Sequence, residues 1–317
     1  MNCNKESFQK QIQKTCTPLP GSIAYPTTYK LPVKKKYEGR TIIDFFLEVV
    51  PRSSKELWLS KIRNKTLLIN GKPANENTIV KGGDITQHTS EPKIEPDVSI
   101  KIDLLYNDDK LLIVNKPAPL PMHPSGRFNK NSLTEILKLA FPEEDFKIIH
   151  RLDANTTGIV VFGKNKEIAT AIGTQFEQKL TTKKYIALVE GIVEKEEFAM
   201  NSKIGTKKTI GGGRASDQNG QEAYTEFKVL ERRQNTKQTL LEVTPHTGRT
   251  NQIRLHLAQL KHAIVGDWGY KDPNYFKNHP LTYPTDSLYL HAWQLEFKYQ
   301  NQNLKIQTAI PTKFEIQ

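Results

Sequence analysis

A chain of 317 residues with 37% hydrophobic side chains can bury the cores of two domains, and 46 Lys and Arg against 34 Asp and Glu leave a net charge of +12. That excess calls for a polyanionic partner, nucleic acid first, and no apolar run approaches the roughly 20 residues of a membrane span. The two cysteines, Cys3 and Cys16, share one N-terminal stretch and form neither a disulfide framework nor a zinc site, so chemistry without metal or cofactor is expected.

In chain order, residues 1–40 carry Pro18, Pro20, Pro26 and Pro32 and the basic run Lys34 to Lys36, and read as an extended tail. The first ten residues lack the apolar core of a secretory signal, so residence in the cytoplasm is the expectation. From Thr41, Ile43, Phe46, Leu47 and Val50 recur at helical spacing up to Pro51. Ser53 and Glu56 suggest a capping box for a second helix bearing Leu57, Trp58 and Ile62, with Lys55, Lys61 and Arg63 left for phosphate. Thr66 to Ile69 reads as a strand, Asn70-Gly71 as a hairpin turn and Gly83-Asp84 as another turn. Residues 41–90 therefore form a small α+β domain, and the proline-bearing, charge-alternating stretch 91–98 is the linker to a second domain, 99–317.

The second domain opens with strand, Asn-Asp-Asp turn and strand over Ile102 to Val114, followed by a helix on Leu133, Ile136, Leu137 and Ala140. Next comes His150 to Asn165, polar and turn-rich up to Gly158 and then the apolar strand Ile159 to Phe162, so a loop delivers Asp153 to the rim of a buried strand. It is not a kinase catalytic loop, because Leu152 separates Arg151 from Asp153 and the chain has no Gly-x-Gly-x-x-Gly or Asp-Phe-Gly. A helix on Ile168, Ala171, Ile172 and Phe176 follows, then strands at Tyr185 to Val189, Tyr224 to Leu230 and Thr239 to Val243. Between the first two lies a glycine-rich basic segment, Gly205 to Gly220, which does not fit a nucleotide phosphate loop and reads as a hairpin tip for RNA backbone. Beyond Thr250, a plausible cap, Ile253, Leu257 and Leu260 make one apolar stripe with Arg254 at its border, able to point inward.

His-Arg-Leu-Asp-x-x-Thr-Thr-Gly at 150–158, Lys184-Tyr185 with Ala187, Val189, Glu190 and Gly191, and Thr-Gly-Arg-Thr-Asn-Gln-Ile-Arg at 247–254 together resemble the RluA-type RNA pseudouridine synthases. Asn115-Lys116-Pro117 and Leu290-His291-Ala292 follow the same pattern, so the resemblance spans about residues 100 to 317. It implies an α+β fold with a mixed, mostly antiparallel central sheet flanked by helices. It further implies that Asp153 is the catalytic aspartate, Arg254 its partner and Tyr185 the side chain that stacks on the target base. One departure is Asn251, where the family usually has histidine. Residues 41–90 are similar to the RNA-binding domain named after ribosomal protein S-four, departing from it at Lys65, where a glycine is common.

The implied reaction breaks the N-glycosidic bond of uridine and rejoins the base through carbon five, which needs one carboxylate. A hydrolysing glycosidase usually needs two, and only one strong candidate stands out. Asp153 would act as nucleophile toward the ribose or as the base that starts cleavage, and the sequence leaves both open. The uridine would be flipped out of its stack, with His150, Arg151, Arg127, Lys130 and Arg249 on the phosphates. The expected substrate is structured RNA, most simply large-subunit ribosomal RNA or else transfer RNA, bound by a monomer that needs no membrane or small-molecule cofactor. The rival reading is a non-catalytic RNA-binding or ribosome-assembly protein on the same fold.

Overall fold

The computed structural model describes residues 4–51, 53–207, 209, 213–272, 274–275 and 288–315. The chain divides into two units, Gly21–Glu95 and the remainder, Met1–Pro20 with Pro96–Gln317. Among the described residues no helix is long and apolar enough to cross a membrane.

The first element corrects the expectation of an extended tail. Helix α1 (Lys5–Cys16) is capped by the Asn4 side chain and buries Phe8, Ile12 and Cys16, one residue per turn. It belongs to the larger unit, where Phe8 stacks on Phe141 at 4.9 Å and Gln11 donates to the Ala140 carbonyl at 2.9 Å.

The smaller unit contains β1 (Thr28–Pro32), α2 (Ile42–Val49), α3 (Lys55–Arg63), β2 (Leu67–Ile69), β3 (Lys72–Pro73) and β4 (Ile85–Thr89). Its sheet runs β1-β4-β2-β3 around a core of Ile42, Phe45, Phe46, Trp58, Leu67 and Val80. Asn70 (φ 49°) and Gly71 (φ 79°) are both left-handed, as a tight two-residue hairpin requires. Two details differ from expectation. The cap of α3 is Ser54, which accepts from the Leu57 amide, while Ser53 accepts from the Trp58 indole. Lys61, three residues after Trp58 and on the same helical face, is buried and donates to the Thr89 carbonyl at 2.5 Å, so its ammonium is not available to phosphate.

The larger unit continues with β5 (Asp103–Asn107), β6 (Leu111–Lys116), α4 (Leu133–Ala140), β7 (Lys147–Ile148), β8 (Thr157–Gly163), α5 (Lys166–Glu177), β9 (Thr182–Glu190), β10 (Glu197–Ile204), β11 (Gln221–Arg233) and β12 (Gln238–Pro245). Helices α6 (Gln252–Gln259) and α7 (Trp268–Lys271) and strands β13 (Leu290–Tyr299) and β14 (Gln302–Gln307) complete it. A ten-stranded sheet runs β10-β11-β12-β9-β13-β8-β6-β5, with β14 on β13 and β7 on β8. Among the described residues the one parallel pair, β13 with β8, joins two antiparallel halves.

That seam positions the site. Ala292 of β13 pairs with Tyr185 of β9 on one side and with Gly158 of β8 on the other, so Tyr185 and the loop before β8 are two strand spacings apart, roughly 10 Å. Only glycine fits at 158: its φ is 119°, and a Cβ there would sit 2.3 Å from the Ala292 carbonyl oxygen. His291 locks the seam by bonding Thr157 and Thr308, both at 2.7 Å, and burial pushes its pKa down to about 4, leaving a neutral ring that donates on one side and accepts on the other.

Candidate active site

The loop that carries Asp153 is held from behind. The Ala154 carbonyl accepts from the Leu120 amide at 2.9 Å and from Lys116 Nζ at 3.1 Å, and the same ammonium donates to Leu120 and Pro117 carbonyls, both at 2.9 Å. Three carbonyl acceptors suit the three protons of a charged lysine. Complete burial pushes its pKa down to about 7 and the negative Asp153 opposes that shift. The Thr156 amide closes a turn onto the Asp153 carbonyl at 3.1 Å, and Leu152 fills the core beneath.

Arg254 reaches the loop from α6. The segment before that helix is tied down by buried Gln252, whose side-chain oxygen accepts from the Thr247 hydroxyl (2.7 Å) and the Arg249 amide (3.0 Å). Its nitrogen donates to the Tyr224 carbonyl and the Thr225 hydroxyl, both at 3.0 Å, so the amide has no unmet capacity. Ile253 and Leu257 bury the adjoining helix face against β9, β11 and β12. Thr250 does not cap the helix; Asn251 holds the cap position in the left-handed region, φ 59°, and makes no cap bond.

The guanidinium is shared. Its Nε and Nη2 bind Asp267 Oδ2 and Oδ1 at 2.7 and 2.9 Å, its Nη1 binds Asp153 Oδ2 at 3.0 Å, and the Tyr270 ring lies 5.0 Å from its central carbon. Burial works against its charge, but Asp267 first and Asp153 after it outweigh burial and hold the arginine firmly protonated. Side-chain exposure separates the two acids, at 2% for Asp267 and 31% for Asp153. Tyr185 packs between the two main core clusters, and burial, then the charge of Asp153, push its phenol well above the ordinary value, so it keeps its proton.

Asp153, Tyr185 and Arg254 are thus brought to one place. Arg127, Lys130 and Arg151 are exposed, and Arg249 is partly exposed with Nε on the Glu222 carbonyl at 3.2 Å. Lys55 and Arg63 are exposed on the smaller unit. His150 is a correction: it stacks on Phe176 at 4.7 Å and accepts from the Val161 amide at 3.3 Å, and burial pushes its pKa down to about 3, so it is an uncharged part of the packing. Of the glycine-rich tip, Gly211 and Gly212 lie outside the described residues, while Gly213 and Arg214 are described. Asp267 and Tyr270 join the site without belonging to any of the three sequence motifs. Both act through contacts between α6 and the segment after it, which no local spacing announces.

The model of the RNA pseudouridylate synthase family matches residues 110–259. Ribosomal large subunit pseudouridine synthase D of Nitrosomonas europaea is 30% identical over 310 residues, which cover 93% of this chain and 88% of that one. An RNA pseudouridine synthase of Bacillus subtilis, YhcT, is 30% identical over 243 residues, 74% of this chain and 80% of that one. Among solved structures, human RNA pseudouridylate synthase domain containing 1 superposes with a TM-score of 0.56 at 25% identity, over 68% of this chain and 86% of that one. Fold and likeness define the class as an isomerase that acts on RNA. The chain belongs to the RNA pseudouridine synthase family, in its RluA-type branch, and converts uridine in RNA to pseudouridine.

Proposed function

We propose that Asp153 is the catalytic carboxylate, that Arg254 aims it, and that the substrate is large-subunit ribosomal RNA. The observation that carries the reading is the division of one buried guanidinium: Asp267 binds two of its three nitrogens, and the third nitrogen fixes a carboxylate that solvent still reaches. A carboxylate so held can meet C1′ or the ribose hydrogen beside it without first reorganising. The N1–C1′ bond breaks, the uracil turns, a C5–C1′ bond forms, and the hydrogen lost from C5 is balanced by one gained at N1, so the reaction consumes no water and no cofactor. Tyr185, protonated and packed at the seam, supplies a stacking face and a hydroxyl for that proton transfer. Arg127, Lys130, Arg151 and Arg249 hold phosphates of the strand from which the uridine is flipped.

Residues 41–90 act as an RNA-binding module similar to the ribosomal S-four domain, with Lys55 and Arg63 on the backbone, and the enzyme works as a cytoplasmic monomer. The relative from Nitrosomonas named for the large ribosomal subunit supports the choice of RNA. Mapping pseudouridine across all RNA from a strain deleted for this protein tests the reading. A site in large-subunit ribosomal RNA should vanish and return with the wild-type gene but not with Asp153→Asn. Loss of a site only in transfer RNA would overturn the assignment of substrate, and loss of none would overturn the reading.

A further inference from the structure

The Asn251 amide lies against the Asp153 carboxylate, and it fits there in one orientation. With its oxygen toward the carboxylate, two acceptors would oppose each other. With its nitrogen there, it donates to Asp153 Oδ2 at 3.0 Å and Oδ1 at 3.2 Å, and its own oxygen accepts from the Tyr270 hydroxyl at 3.2 Å. Tyr270 is itself anchored, because its hydroxyl accepts from the Arg214 amide at 2.7 Å and lies 3.0 Å from the Arg214 carbonyl, the second acceptor for its single proton. Its ring also lies over Arg254, so the two groups that touch Asp153 share one aromatic support.

Backbone conformation and side chain are separable at this position. Asn251 has φ 59°, a region that asparagine tolerates and glycine prefers, and its side chain makes no cap bond to α6. A residue kept only for the turn would lose nothing as glycine. The amide is the part aimed at the carboxylate.

We infer that Asn251 is a positioning residue for pseudouridine formation: its amide spans both oxygens of Asp153 and, braced by Tyr270, fixes the plane of the carboxylate while Arg254 fixes its direction. Arg254 reaches only Oδ2, which leaves the carboxylate free to swing about that contact. A second donor bridging both oxygens removes that freedom. The inference rests on Asp153 being the catalytic carboxylate.

The test compares wild type, Asn251→Gly, Asn251→His and Tyr270→Phe on total RNA from the deletion strain, following pseudouridine at the mapped uridine. Asn251→Gly keeps the backbone, so its melting temperature and KM should match wild type while kcat falls about 10- to 100-fold, as loss of a hydrogen bond to a charged group implies. Asn251→His, which restores an N–H donor, should recover most of that loss, and Tyr270→Phe should lose kcat severalfold. Wild-type kcat in Asn251→Gly, with wild type itself active, would overturn this inference and leave the function standing. A defect in KM alone would do the same, marking Asn251 as an RNA contact. Wild type that forms no pseudouridine, on RNA from a deletion strain that has lost no site, would overturn the functional reading and this inference together.

Discussion

Two loops send a carboxylate to the same arginine and use it in opposite ways. After α6, Asp267 is sealed at 2% exposure and takes a parallel pair of N–H bonds from Arg254; before β8, Asp153 is 31% exposed and takes one. The first arrangement satisfies both partners and leaves nothing for a substrate. The second leaves one carboxylate oxygen free of the arginine, whose own direction Asp267 already sets. Burial and a parallel pair of arginine bonds mark Asp267 as a strut, while partial exposure and a single arginine bond suit Asp153 to the working role proposed for it.

The contrast can be broken most forcefully at the arginine. Arg254→Lys keeps the charge but cannot bridge two carboxylates with a planar fork, and turnover should fall about 100-fold or more with RNA affinity little changed. A filter-binding defect that accounts for all of the lost activity would make Arg254 a phosphate ligand instead. Next in size, Asp267→Asn removes the strut and strands a buried guanidinium, which should cost about 3 kcal/mol in urea unfolding and lower turnover as well. Unchanged stability in that variant would erase the distinction between the two acids.

Acid should act on the framework. Burial pushes His291 and His256 down to about 4, whereas in the unfolded chain each takes its proton near pH 6.5. The unfolded state therefore binds more protons between those values, and stability that is complete above about pH 7 is lost as pH falls through 6.5 toward 4, on the order of 1 kcal/mol per histidine per unit. Urea midpoints at pH 7 and pH 5 check the sign; a higher midpoint at pH 5 contradicts it. The smallest effects belong to the rim. Arg127→Ala and Arg249→Ala should each weaken RNA binding severalfold and reduce its salt slope by roughly 0.7 to 1, with kcat unchanged.

Much of the site could be read from the sequence because three short motifs carry it. Asp153, Tyr185 and Arg254 each sit in a local pattern of turn, strand or apolar helical stripe, and the strands and helices around them follow from period alone. The rest depended on contacts distant in sequence. Asp267 becomes a strut only when α6 faces α7, and no spacing announces that. Lys61 and His150 look like surface cations in a basic chain, yet one shares a helix face with Trp58 and the other lies flat on Phe176. Helix α1 offers only Phe8, Ile12 and Cys16 among lysines and glutamines, a stripe one residue wide followed at once by prolines, and its packing on α4 is what stabilises it. Strand β10, unassigned from the sequence, alternates exposed and half-buried positions at the sheet edge, where burial leaves little apolar signal.

The most direct measurement is pseudouridine formation by purified Asp153→Asn on RNA from the deletion strain, with the urea midpoint and RNA affinity of the same preparation. Isomerisation should be abolished, with stability and binding near wild type. Turnover at the wild-type rate by that variant would contradict the division of labour between the two acids and remove Asp153 from the chemistry.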